Sequence, residues 1–63
     1  MRKVRDLRNQ YNMSQSELAR RAGISQSLLS DIESGKVNPT IKTLTKLAKA
    51  LKVPITALLD ETA

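Results

Sequence analysis

Gln15-Ser16-Glu17-Leu18-Ala19-Arg20-Arg21-Ala22-Gly23-Ile24-Ser25-Gln26-Ser27-Leu28-Leu29-Ser30-Asp31-Ile32-Glu33-Ser34 is the stretch on which the fold turns. It reads as two short helices joined by a tight turn. Ser14-Gln15-Ser16-Glu17 is a capping box: the hydroxyl takes the amide three residues on, and Glu17 reaches back. Leu18, Ala19 and Ala22 give the first of the two helices an apolar side, and Gly23 ends it, because a left-handed residue is cheap without a Cβ. Ser25 caps the next helix, which runs to about Ser34 with Leu29 and Ile32 inward and Leu28 on the flank. Only Ile24 and Ser25 separate Gly23 from this helix, so the pair must cross at a large angle. Ala19 lets the two approach closely. Gln26, Ser27, Ser30, Asp31 and Ser34 remain outward, all short or planar hydrogen-bonding side chains.

The flanks extend the helical pattern. Val4, Leu7 and Tyr11 share one face of a first helix that begins at Arg2, and Asn12-Met13 breaks it. Gly35 stops the third helix, Lys36-Val37-Asn38-Pro39 is a loop, and Pro39 disfavours helix at Asn38. Thr40 caps a fourth helix with Ile41, Leu44, Leu47, Ala48 and Leu51 on its buried face. Pro54 fits the first turn of a short fifth helix that turns Leu58 and Leu59 inward, and Asp60-Glu61-Thr62-Ala63 is expected to fray. No segment alternates with period two. The expected fold is therefore all-α, a compact five-helix domain spanning residues 1–63, with its helix-turn-helix at about 15–34.

Composition narrows the function classes. The chain has 63 residues, no Cys and no His, so its core is aliphatic, and no disulfide or thiolate site supports it. The absence of His removes the commonest general base and metal ligand; scattered carboxylates and the lack of a phosphate loop leave no catalytic constellation, so an enzyme is not expected. No cofactor or metal is called for. No apolar run reaches the roughly 20 residues of a membrane span, and Met1-Arg2-Lys3 opens no signal peptide, which points to a reducing cytoplasm. The net charge of +5 favours polyanions. Tyr11 alone is no platform for stacking single-stranded bases. A protruding helix with a polar, unbulky edge fits the major groove of B-DNA.

Gln15-Ser16-Glu17-Leu18-Ala19, Gly23-Ile24-Ser25-Gln26-Ser27 and Ile32-Glu33-Ser34-Gly35-Lys36 resemble the helix-turn-helix of the lambdoid phage repressor and Cro family, also called the XRE family. Pro39-Thr40, Leu44-Thr45-Lys46-Leu47-Ala48 and Leu58-Leu59 continue the likeness over essentially the whole chain. The resemblance implies a lambda-repressor-like fold and a sequence-specific, repressor-like transcriptional regulator, phage-encoded or prokaryotic, that binds double-stranded DNA. It implies base reading by Gln26, with adenine the fitting partner, and by Ser27, Leu28, Ser30 and Asp31. Leu28 meets either a thymine methyl or a neighbouring helix; Asp31 accepts from cytosine N4 but repels phosphates.

Phosphate contacts fall by the same likeness to Arg8, Ser14, Gln15, Lys36, Asn38, Thr40 and Lys42, with Gln15 also bracing Gln26. Arg8 and Glu33 match an ion pair tying the first helix to the third. The family analogy further implies a homodimer on a palindromic operator, with half-sites roughly 34 Å apart and Ile55 and Leu58 at the dimer interface. Lys46, Lys49 and Lys52 read as a solvated face of the fourth helix. Two other readings share the fold: a protein-binding adaptor such as an antitoxin, and the DNA-binding fragment of a longer regulator.

Overall fold

A computed structural model describes residues 1–59, and the expected fraying of the tail lies outside these described residues. Five helices follow in order: α1 (Arg2–Gln10), α2 (Gln15–Ala22), α3 (Gln26–Ser34), α4 (Ile41–Leu51) and α5 (Thr56–Leu59). No strand occurs among the described residues, and the fold is all-α as the patterning requires. α2 packs on α3 and α4, while α1 crosses α3, α4 and α5. Val4, Leu18, Ala19, Ala22, Leu29, Ile32, Leu44, Leu47, Ala48, Leu51 and Leu58 form one buried cluster, every member aliphatic. Each fully buried Leu or Ile in it is worth about 1.5–3 kcal/mol relative to exposure.

The helix starts follow the sequence signals. The hydroxyls of Ser14, Ser25 and Thr40 accept from the backbone amides of Glu17, Leu28 and Thr43 at 3.0, 3.0 and 3.1 Å. Each satisfies one of the amides a helix start leaves without an internal partner. The Glu17 carboxylate turns to Arg21, one turn along α2, at 2.6 Å, where the capping box has it reach back to Ser14.

The helix ends share one geometry. Asn12, Gly23, Gly35 and Lys52 all have positive φ, at +55°, +72°, +85° and +59°. The amide of each donates to the carbonyl three residues back: Asn9, Arg20, Ile32 and Lys49. The amide of the next residue donates to the carbonyl five back: Met13 to Arg8, Ile24 to Ala19, Lys36 to Asp31 and Val53 to Ala48. This is the Schellman closure, and it ends α1, α2, α3 and α4 alike.

Three side chains depart from the periodic reading. Ile41 is 67% exposed although it shares the face of Leu44 and Leu51. It is the first residue of α4, and Cβ vectors tilt toward a helix N-terminus, so its side chain overhangs the helix end. Tyr11 is 46% exposed, being the cap residue of α1 and lying where the chain already turns toward Asn12. Leu59 is exposed while Leu58 is buried, since a single turn of helix has room for one inward position. Pro54, expected in the first turn of the fifth helix, precedes α5 instead and offers its carbonyl to Ala57.

No atom lies within 4 Å of a Cβ built on Gly23, so Gly23→Ala tests backbone strain alone. It is expected to cost about 1–2 kcal/mol in chemical denaturation, while Lys52→Gly, relieving the same strain at the end of α4, raises the melting temperature.

Candidate nucleic-acid interface

The helix-turn-helix gathers one polar chain of contacts along its rim. Its anchor is Glu33 in the last turn of α3, whose side chain is 5% exposed. Arg8 of α1 approaches it in a two-pronged arrangement, with Nε 2.8 Å from Oε2 and Nη2 3.1 Å from Oε1. Arg8 Nη1 also donates to the Met13 carbonyl at 3.0 Å. This guanidinium ties the first helix, the following loop and the third helix together. The planar fork of Arg matches a carboxylate in a way Lys cannot.

The chain of contacts continues outward. Gln15 Nε2, at the first position of α2, donates to Glu33 Oε1 at 3.2 Å. Gln15 Oε1 accepts from Gln26 Nε2 at 3.5 Å, a long contact between two partly solvated amides. The structure thus joins Arg8, Glu33, Gln15 and Gln26, and it sets Gln15 against Gln26, the pair that the family resemblance brings together. The direct bond from Gln15 to Glu33 is the link that sequence reading missed. The two residues lie 18 positions apart and show no helical spacing to reveal it.

The edge of α3 is polar and open. Gln26, Ser27 and Ser30 are exposed; Asp31 is half-buried; Leu28 is half-buried and packs against the core. Ser34 folds its hydroxyl back onto the Asp31 carbonyl at 3.2 Å. α3 carries no basic residue in its last turn and no acidic residue in its first. Ser14, Lys36, Asn38, Thr40 and Lys42 are exposed beside it in sequence, on the starts of α2 and α4 and on the α3–α4 loop, whereas Gln15 is half-buried. Arg8 is placed differently: 13% exposed and committed to Glu33 and Met13, it is a structural tie first.

One junction differs in chemistry from the others. The residue following the left-handed position is Met13, Ile24 or Val53 at the ends of α1, α2 and α4, and each packs against the core. At the end of α3 it is Lys36, which is exposed. The apolar contact that accompanies the other three closures is replaced there by an exposed cation at the end of α3.

The two residues expected at a dimer interface divide. Ile55 is half-buried, but Leu58 is wholly buried within the core and has no surface to offer a second copy. Its burial follows from α5 lying against α1 and α4. A groove of about 400 Å³ lies elsewhere, lined by Tyr11, Met13, Glu17, Arg21, Leu51 and Lys52 among others, and none of the α3 edge residues borders it. Among the described residues no cluster of acidic side chains could hold a metal ion.

Removing the anchor should expose its structural worth. Glu33→Ala strands the Arg8 guanidinium without its carboxylate partner, and a loss of about 2–3 kcal/mol is expected in urea denaturation. The double variant with Arg8→Ala should lose less than the sum of the two single changes.

The comparisons with known proteins agree with this geometry. A family model described as helix-turn-helix, HTH_3, matches residues 4–58. The HTH-type transcriptional regulator y4dJ of Sinorhizobium fredii is 43% identical over 56 residues, 89% of this chain and 73% of that protein. SinR, an HTH-type transcriptional regulator of Bacillus subtilis, is 40% identical over 60 residues, 94% of this chain and 54% of its own length. The immunity repressor of Bacillus phage phi105 is 34% identical over 59 residues, 94% of this chain and 41% of its own. The chain thus spans about half the length of several relatives it matches. With α2 and α3 in the turn arrangement described and the match running from Val4 to Leu58, this chain belongs to the HTH_3 helix-turn-helix family.

Proposed function

We propose that this chain binds double-stranded DNA as a sequence-specific transcriptional regulator, inserting α3 in the major groove. The observation that carries the reading is the exposed polar edge of α3, with Gln26 at its start meeting the Arg8–Glu33–Gln15 contacts. Such a brace is costly to build on a surface with no recognition task, because ordering two glutamine side chains loses rotamer entropy. Relatives named repressors and transcriptional regulators support the same reading. Gln26 reads adenine through N6 and N7, with Ser27, Ser30 and Asp31 along the same edge.

Affinity is assigned to other elements. Lys36 and Lys42, with the capped starts of α2 and α4 at Ser14 and Thr40, face phosphates; Asn38 lies in the loop between them. Because α3 itself brings little positive charge, the flanks supply the salt-dependent attraction and α3 supplies the choice of sequence. The two roles are separable by experiment. Gln26→Ala is expected to lose about 1–3 kcal/mol of discrimination at one base pair in binding titrations, while Lys42→Ala weakens all duplexes alike and lowers the salt slope by about 1. Uniform loss in Gln26→Ala would contradict base reading.

The proposed regulator acts as a homodimer on a two-fold operator, with half-site centres roughly 34 Å apart. With Leu58 in the core, the surface falls to Val37 in the loop before α4 and Ile41 at the start of α4, both exposed, and to Ile55. No helix among the described residues is long and apolar enough to cross a membrane. Relatives come from phage and bacteria, which supports a cytoplasmic site of action. Ile41→Asp is expected to leave the fold intact and weaken cooperative filling of the two half-sites about tenfold or more in footprinting; unchanged cooperativity would move the interface elsewhere.

A further inference from the structure

Glu33 does more than fasten α1 to α3. We infer that it is a positioning residue for base choice, setting which way the Gln26 amide faces; this rests on the DNA-binding reading above.

The argument is one of hydrogen-bond polarity. An ionised carboxylate only accepts. Glu33 Oε1 meets Gln15 at 3.2 Å and the Arg8 guanidinium at 3.1 Å, and Oε2 meets Arg8 at 2.8 Å. The group on Gln15 facing Glu33 must therefore be its NH₂, and its Oε1 must face the other way. That oxygen lies beside Gln26, so only the Gln26 NH₂ can turn toward it. A reversed Gln26 would set two carbonyl oxygens against each other with no proton between them.

The strength of the last contact matters less than its sign, since 3.5 Å is long for a hydrogen bond. With one Nε2 proton directed to Gln15, Gln26 presents one acceptor and one remaining donor outward. Adenine offers the complement in the major groove, a donor at N6 and an acceptor at N7. Guanine offers two acceptors, N7 and O6, and calls for two donors. Glu33 thus selects adenine over guanine without touching DNA. A neutral amide in place of this carboxylate would carry both a donor and an acceptor. Gln15 would then be free to turn, and Gln26 could offer its NH₂ to guanine.

The test uses duplexes selected by the wild-type chain from a randomised pool. The base pair read by Gln26 is the one whose replacement Gln26→Ala no longer senses. At that pair the wild type is expected to prefer A·T over G·C by about tenfold or more. Glu33→Gln should bring the ratio to within about threefold, mostly by admitting G·C. Gln15→Ala, which keeps the Arg8–Glu33 pair and so guards against a folding defect, should give the same reduced ratio. Adding Glu33→Gln to Gln15→Ala should then change the ratio no further.

A Glu33→Gln chain that binds every duplex less well at an unchanged ratio would overturn the inference and leave the DNA reading standing. So would a ratio that Gln15→Ala leaves intact. A wild type that selects no sequence, or a Gln26 pair other than A·T, would sink the base reading itself and the inference with it. In the free protein, the ¹⁵N-resolved side-chain amide protons of Gln15 should shift upfield in Glu33→Gln. Their failure to move would deny the carboxylate contact independently of DNA.

Discussion

Every junction that ends one of the first four helices passes through a single left-handed residue. Asn12, Gly23, Gly35 and Lys52 make the same pair of backbone bonds, so four successive helices end by one rule. The rest of the architecture depends on it. A Schellman closure reverses the chain at once, leaving no slack, and short reversals bring α2 against α3 and α1 against α3, α4 and α5. Glycine carries the strain only at the two junctions bounding α3; Asn and Lys bear it at the others. The helix assigned to base reading is thus the one whose two ends are held by the least strained backbone.

Between those junctions the interior is uniform. Its eleven buried side chains are all aliphatic, three of them alanines on α2 and α4 that let the helix backbones come close. No polar residue joins that cluster among the described residues, and no buried side-chain polar atom is left without a partner. All the directional chemistry is consequently at the rim. There the Glu33 carboxylate stands between core and solvent and joins three helices through Arg8 and Gln15. An apolar core of this kind tolerates conservative repacking, whereas the rim pairing demands particular donors and acceptors.

Much of this was legible in the residues. Hydroxyls before apolar-periodic runs mark three helix starts, and Gly23 and Gly35 mark two ends. Lys52 gives no such mark, because a Lys side chain disfavours positive φ and the sequence alone does not show that the closure of α4 holds it there. Periodicity places residues on a face but does not say whether anything lies opposite. That is why Ile41, Tyr11 and Leu59 read as inward and stand exposed; Leu58 read as inward and is core, and its second reading, at a dimer interface, came from family likeness. The Arg8–Glu33 pair and the Gln15–Gln26 brace came from family likeness. Their union through Gln15 and Glu33 joins side chains 18 positions apart, a pairing that no helical spacing marks.

Tyr11 is the one strong near-ultraviolet chromophore in a chain with no Trp. It sits outside the core, on the rim of the groove beside Arg21 and Lys52. The interior is therefore optically silent. Tyrosine emission and near-ultraviolet dichroism report on that groove and the cap of α1, while loss of the core registers only in the far-ultraviolet helix signal. Agreement between the two signals would show that the periphery melts with the centre, which makes this tyrosine a built-in gauge of cooperativity.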